Sequence, residues 1–130
     1  MKTRYGLLGA LLLTIGLSGC NYLSNEGPKE LLERFFSSAI KQDYGTTYNC
    51  YYGEYTKKVT REEYVRRRKE GSVLQSYRIV SLKQSGSLAQ AQVLLTFAPS
   101  EKANRKAAAS VMVTEDMQRE RGNWKIKVWQ

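Results

Sequence analysis

Behind Pro28, apolar residues recur at helical spacing: Leu31, Leu32, Phe35, Phe36, Ala39 and Ile40. Lys29, Glu30, Glu33, Arg34, Lys41 and Gln42 fill the other positions. The pattern predicts an amphipathic helix of about four turns with proline in its first turn and one face to bury, against a sheet. Tyr44, Tyr48, Tyr51 or Tyr52, and Tyr55 continue at helical offsets. Gly45 and Gly53 weaken a helix there, so one or two short turns are expected. Thr60-Arg61-Glu62-Glu63 reads as a capping box opening a further helix. Glu62 and Glu63 lie at the positive end of that helix, Arg66, Arg67, Arg68 and Lys69 at its negative end, and Gly71 ends it.

After Gly71 the period changes from helical to two. Val73 to Lys83 carries Tyr77, Ile79, Val80 and Leu82. Gln84-Ser85-Gly86-Ser87 is a turn. Leu88 to Phe97 alternates, with Ala89, Ala91, Val93, Leu95 and Phe97 on one face, and Pro99 stops it. Ser100 to Lys106 is a charged loop. Ala107 to Arg119 sets Val111 and Val113 against Ser110, Met112 and Thr114. After a turn at Glu120-Arg121-Gly122-Asn123, Trp124 to Trp129 puts Trp124, Ile126 and Val128 on one face, with Lys127 and Trp129 opposite. Short connections without intervening helices make these four strands an antiparallel meander. Helices followed by such a run predict an α+β fold, with N-terminal helices packed on a curved antiparallel sheet of about four strands.

The first 27 residues belong to neither pattern. Lys2 and Arg4 precede a run of Leu7, Leu8, Ala10, Leu11, Leu12, Leu13, Ile15 and Leu17. A bilayer span needs roughly 20 apolar residues, and this run is shorter. A charged start, a short apolar stretch and small residues at its end read as an export signal. Leu17-Ser18-Gly19-Cys20 resembles the lipobox of bacterial lipoproteins at all four positions. The resemblance implies cleavage between Gly19 and Cys20 and lipidation of Cys20. It divides the chain into a signal peptide (1–19), a lipidated cysteine with a short tether (20–27) and one domain (28–130). At least two acyl chains on Cys20 anchor stably, since each buried methylene contributes about 0.8 kcal/mol. An extended tether from Asn21 to Gly27 reaches at most about 25 Å, keeping the domain near the bilayer. By resemblance to known sorting signals, Asn21 in place of Asp favours the outer membrane in a two-membrane cell. The expected location is the bacterial cell envelope.

Composition narrows the function. The chain has 130 residues, 42% hydrophobic and 25% charged, enough for one globular domain. Lys and Arg number 21 against 12 Asp and Glu. The leader removes two of the cations and no acid, leaving 19 against 12, a net +7. An anionic surface is the natural neighbour of such a domain, and export makes nucleic acid an unexpected partner. The Arg66–Lys69 run is a candidate contact for anionic head groups, weighed against an ordinary helix C-terminus dressed with cations. With Cys20 acylated, Cys50 has no internal partner and reads as a small buried hydrophobe.

At this point the element order acquires a likeness. Helix, short helices, hairpin and hairpin, with Val111-Met112-Val113-Thr114 leading through Arg121-Gly122-Asn123-Trp124-Lys125-Ile126, resemble the NTF2-like or cystatin-like superfamily. Bacterial lipoprotein domains of the DUF4878 type are grouped there. The resemblance implies a curved sheet around the first helix with a cone-shaped cavity, used by some members for catalysis and by many for binding or dimerisation.

Candidate chemistry is sparse. The chain has no histidine, no GxSxG, no CxxC, no Walker loop and no clustered metal ligands. No catalytic residue, metal or cofactor is expected, and the domain reads as a non-catalytic binding or interaction module. Tyr48, Tyr52, Tyr55, Tyr77 and Trp124 are the candidate lining of a pocket for a small amphipathic ligand, weighed against a role as plain core. An isomerase-like enzyme with tyrosine and Asp116 in the cone is the alternative, Glu115 and Asp116 being the only strand carboxylates, near a hairpin end. A homodimer through an apolar outer sheet face bearing Lys127 and Trp129 is the third reading.

Overall fold

A computed structural model of the chain describes residues 26–128. Gly19, Cys20 and Trp129 lie outside the described residues.

Four helices precede four strands. Helix α1 (Pro28–Ile40), α2 (Tyr44–Asn49), α3 (Gly53–Lys58) and α4 (Arg61–Glu70) lead into β1 (Leu74–Ser85), β2 (Leu88–Phe97), β3 (Ala109–Glu120) and β4 (Asn123–Lys127). The strands form one curved antiparallel sheet in the order β1-β2-β3-β4. The architecture is α+β, with the expected helices-then-meander order.

Local chemistry accounts for the boundaries. Pro28 occupies the first turn of α1, where its missing N–H has no intrahelical use. The Glu30 carboxylate turns back to accept from the Gly27 N–H at 3.1 Å. Only half of the capping box expected at Thr60 forms. Its hydroxyl accepts from the Glu63 N–H at 3.2 Å. The Glu63 side chain pairs forward with Arg67 instead of returning to Thr60. Gly71 ends α4 in an extended conformation, so the helix stops there without a left-handed cap. The last hairpin turns through Arg121 and Gly122, both at positive φ, the geometry of a two-residue turn that matches strand twist.

The core lies between the helices and one face of the sheet. Leu31, Leu32, Phe35, Phe36 and Ala39 of α1 meet Leu74, Ala89, Ala91, Val93, Leu95, Met117, Trp124 and Ile126. Ala89, Ala91, Val93 and Leu95 of β2 and Trp124 and Ile126 of β4 are the positions predicted to share a face, whereas Val128, predicted with the latter two, is exposed. The outlying Ile79-Val80-Leu82 spacing on β1 is resolved by a register shift between Ile79 and Ser81. That bulge leaves Val80 exposed while Ile79 and Leu82 both pack inward. Helix α2 is tied to α1 by a buried hydroxyl pair, Ser38 to Thr47 at 2.7 Å. Among the described residues this core is drawn from Leu31 to Ile126.

The short segment between α2 and α3 joins the sheet. Tyr51 bridges Ile126 in parallel. The Ile126 N–H donates to the Cys50 carbonyl and the Tyr52 N–H to the Ile126 carbonyl, each at 2.8 Å. This bridge places Tyr51 on the inner face beside β4.

Candidate functional site

The site is built where the inner face of β3 comes near Tyr51, the residue that joins the tyrosines of α2, α3 and α4. Unbroken pairing of β3 with β2 sets Val93 opposite Val113, Ala91 opposite Glu115 and Ala89 opposite Met117. Antiparallel partners share a face, so Glu115 looks inward with Val113 and Met117. Met117 is 1% exposed and seals the hairpin end, whereas Val111, on the same face, is 46% exposed. An apolar strip with one carboxyl in it therefore opens progressively along β3.

Tyr51 meets this strip, where it feels the charge of Glu115, and three further tyrosines cluster with it. The ring of Tyr51 lies 4.6 Å from that of Tyr55 and 5.4 Å from that of Tyr64, and meets Phe35 edge-on at 5.3 Å. Tyr48 stands 5.6 Å from Tyr64. The Tyr64 hydroxyl donates to that of Tyr51 at 3.4 Å. The Tyr48 hydroxyl donates to the carbonyls of Val59 at 2.7 Å and Thr56 at 3.0 Å. Tyr64 and Arg68 are one turn apart on α4, so both face the cluster. The Arg68 guanidinium lies 5.9 Å from the centre of the Tyr44 ring.

Burial sets the electrostatics. Desolvation pushes the phenols of Tyr51, Tyr55 and Tyr64 above their ordinary range, so all three stay protonated at neutral pH. The Glu115 carboxyl is pushed up to about 7, first by burial and then by repulsion from Asp116. Its charge also bears on Tyr51. Among the described residues, no group of three or more His, Cys, Asp or Glu is arranged to hold a metal ion.

Of the five residues proposed for a pocket, the structure gathers Tyr48 and Tyr55. Tyr52 caps α3 through its backbone. Tyr77 stacks on Phe36 at 5.3 Å, on the β1 side of α1. Trp124 is a core residue with the Arg119 guanidinium over its ring at 5.2 Å. The rest of the cluster, Tyr51 and Tyr64, comes from residues the sequence reading left out. The carboxylate assignment also changes. Asp116 faces outward and accepts from Gln90 at 2.9 Å, and Glu115 is the inward one. The signal for this was present. Continuing the Val111–Val113 alternation by two steps reaches Glu115 and then the buried Met117.

The chain resembles solved structures of another description than expected. One is a SEC-C motif containing protein from Rhodopseudomonas palustris, at 16% identity and a TM-score of 0.63, over 78% of this chain and 75% of that one. Another is a sec-c motif containing protein from Psychrobacter arcticus, at 11% identity and a TM-score of 0.61, over 77% of this chain. The match spans 58% of the Psychrobacter protein. Likeness at these identities is one of fold alone. No family model matches the chain, and no curated protein does.

These neighbours overturn the assignment to the NTF2-like, cystatin-like or DUF4878-type lipoprotein domains. The closing motif that suggested it has a purely local origin. Arg121-Gly122 makes the tight turn, and Trp124 and Ile126 simply alternate into the core. Any hairpin packed beneath helices imposes the same requirements.

The basic run of α4 does not present one surface. Arg66 pairs with Glu70 at 3.5 Å and Arg67 with Glu63, while Arg68 turns toward Tyr44. Arg66 and Lys69 join Arg61, Glu62 and Val65 around an open cleft of about 440 Å³. The outer sheet face is polar, with Gln92 donating to Thr114 at 3.0 Å and Thr96 pairing with Ser110 at 2.9 Å. Leu94 and Met112 interrupt it as an opposed apolar pair. Cys50 is fully buried, and desolvation raises its thiol above the ordinary range, in keeping with the role of a small apolar filler.

Proposed function

We propose that this chain is a lipid-anchored protein of the bacterial envelope whose folded domain is a non-catalytic binding module for a small amphipathic ligand. The observation that carries the binding role is the strip on β3, open at Val111 and met by Tyr51 at Glu115. Apolar walls with a few polar tips are the usual make-up of a small-molecule site. A non-catalytic role is supported by the tyrosine hydroxyls. Burial raises the phenols of Tyr51 and Tyr64 above their ordinary range, and the hydroxyls of Tyr48 and Tyr64 donate to internal acceptors. The anchor rests on Leu17-Ser18-Gly19-Cys20 after the apolar run, and Asn21 favours the outer membrane. The net positive charge would hold the domain against anionic head groups, through Arg61, Arg66 and Lys69.

A second reading is a proton-transfer enzyme of the same fold. The observation favouring it is Glu115, an inward carboxyl titrating near 7, the range of a general base.

Mass spectrometry tests both parts of the main reading. Protein from a bacterial membrane fraction should begin at Cys20 and carry acyl mass, and Cys20→Ala should remain unprocessed. The domain from Asn21 to Gln130, purified after export and measured under native conditions, should retain a discrete added mass. A Cys20→Ala protein that is still correctly processed and still fractionates with membranes overturns the anchor. A bare domain that takes up no amphiphile overturns the binding role.

A further inference from the structure

We infer that Glu115 is the headgroup anchor of the inner-face site, and that the ligand it takes is an amphiphile carrying a protonated amine. The inference rests on the reading of the domain as a binding module and adds the chemistry of the ligand.

The carboxyl is placed by the register of β3 in a position that core packing does not ask for. Its neighbours on the inner face are Val113 on one side and the sealed Met117 on the other. Opposite it on β2 stands Ala91, whose single methyl cannot meet a carboxylate. Glu115 makes no hydrogen bond or ion pair with any described residue. Half-buried and unpaired, it carries a desolvation cost that the fold does not offset internally. Its oxygens are not among the buried side-chain atoms that lack a partner, so they still touch solvent and a partner can reach them from outside.

The surroundings choose the partner. Asp116, the next residue on the strand, makes the local field more negative. Arg68 bears on the phenols of Tyr51, Tyr55 and Tyr64, and no described cation is ion-paired with Glu115. An ammonium group supplies the missing positive charge and up to three N–H donors to the carboxylate. The ring of Tyr51, the tyrosine that feels the charge of Glu115, offers a π system that favours the same charge. From there the only apolar course along β3 runs over Val113 to the exposed Val111, which suits a hydrocarbon or aromatic body attached to the amine.

The experiment is calorimetric titration of the domain from Asn21 to Gln130 with decylamine, decanol and decanoate, each below its micelle concentration, at pH 8. Decylamine should bind at least about tenfold more tightly than decanol, a difference of about 1.4 kcal/mol. Glu115→Gln should bring the amine to the affinity of the alcohol while leaving the alcohol unchanged. The unsubstituted domain provides a control that needs no variant. Its amine-to-alcohol ratio should fall toward one as pH drops from 8 to 5, because Glu115 takes up a proton. Asp116 on its own strand and Tyr51 across the strip are the titratable neighbours, and Tyr51 stays neutral throughout. If all three amphiphiles bind alike and Glu115→Gln changes nothing, the amine assignment is overturned and the binding module survives. If none binds, both fall together.

Discussion

The Glu120 carboxylate accepts a hydrogen bond from the backbone N–H of Gly53 at 2.8 Å, joining residues 67 positions apart in the chain. One end of β3 is thereby fastened to the start of α3, the element that carries Tyr55. A Cβ at Gly53 would stand 2.7 Å from the carboxylate, so a larger residue there would push the Glu120 side chain off this bond. Glu120→Ala should lower the stability of the domain by about 1–2 kcal/mol, read from the urea midpoint. Glu120→Gln, which keeps an acceptor, should recover part of that loss. Equal losses in the two variants would mean the bond contributes nothing as an acceptor.

Glu115 makes stability depend on pH in a defined direction. Its carboxyl titrates at about 7 in the folded domain, against 4.5 when unperturbed. The folded state therefore holds a proton that the unfolded state has released between these values. Stability should fall as pH rises from about 4.5 to 7 and then level off. Glu115→Gln should abolish that slope and leave the domain more stable at pH 8 by on the order of 2 kcal/mol. Denaturation curves across this range decide it, and a flat unsubstituted profile would contradict the burial of the carboxyl.

The Ser38–Thr47 hydroxyl pair should behave as one unit. Each hydroxyl also has a backbone carbonyl in reach, that of Phe35 for Ser38 at 2.9 Å and that of Asp43 for Thr47 at 3.1 Å, so one of the two donates to its carbonyl while the other donates across the pair. Ser38→Ala and Thr47→Val should each cost about 1 kcal/mol, and the double variant less than their sum. Strict additivity in that double-mutant cycle would show that the two hydroxyls do not interact.

Cys50 is the one thiol of the domain after Cys20. Its Sγ–H faces the Thr46 carbonyl at 3.4 Å and has no exposed surface. A thiol-reactive dye at pH 8 should label it only as fast as the protein opens, and addition of urea should accelerate labelling in step with unfolding. Rapid labelling of the native domain would place the thiol at the surface.

Much of the fold was legible because its signals are local. The α1 stripe from Leu31 to Ile40, the Thr60 cap and the strict alternation of β2 each need only neighbours in sequence. The site was less so. Tyr51 and Tyr64 come together across a turn and two helices, and no periodicity announces that contact. Tyr77 and Trp124 were equally plausible by residue type, yet α1 stands between Tyr77 and the cluster, and Trp124 is closed over by Arg119. Glu115 was misread for another reason. A charge near a hairpin end resembles a solvated one, whereas the phase of β3 turns it inward.

The two margins of the sheet carry different defences. An unpaired strand edge invites a strand from another molecule. At β4 the backbone of Cys50 to Tyr52 already occupies the edge through the Ile126 bonds. At β1 the margin is long, but the shift between Ile79 and Ser81 breaks its regular ladder, and Arg78 and Lys83 stand exposed along it. A chain crowded by neighbours in the plane of a membrane would meet such margins at high local concentration. The same bulge that reconciles the spacing of Ile79 and Leu82 thus also acts as a guard against edge-to-edge aggregation.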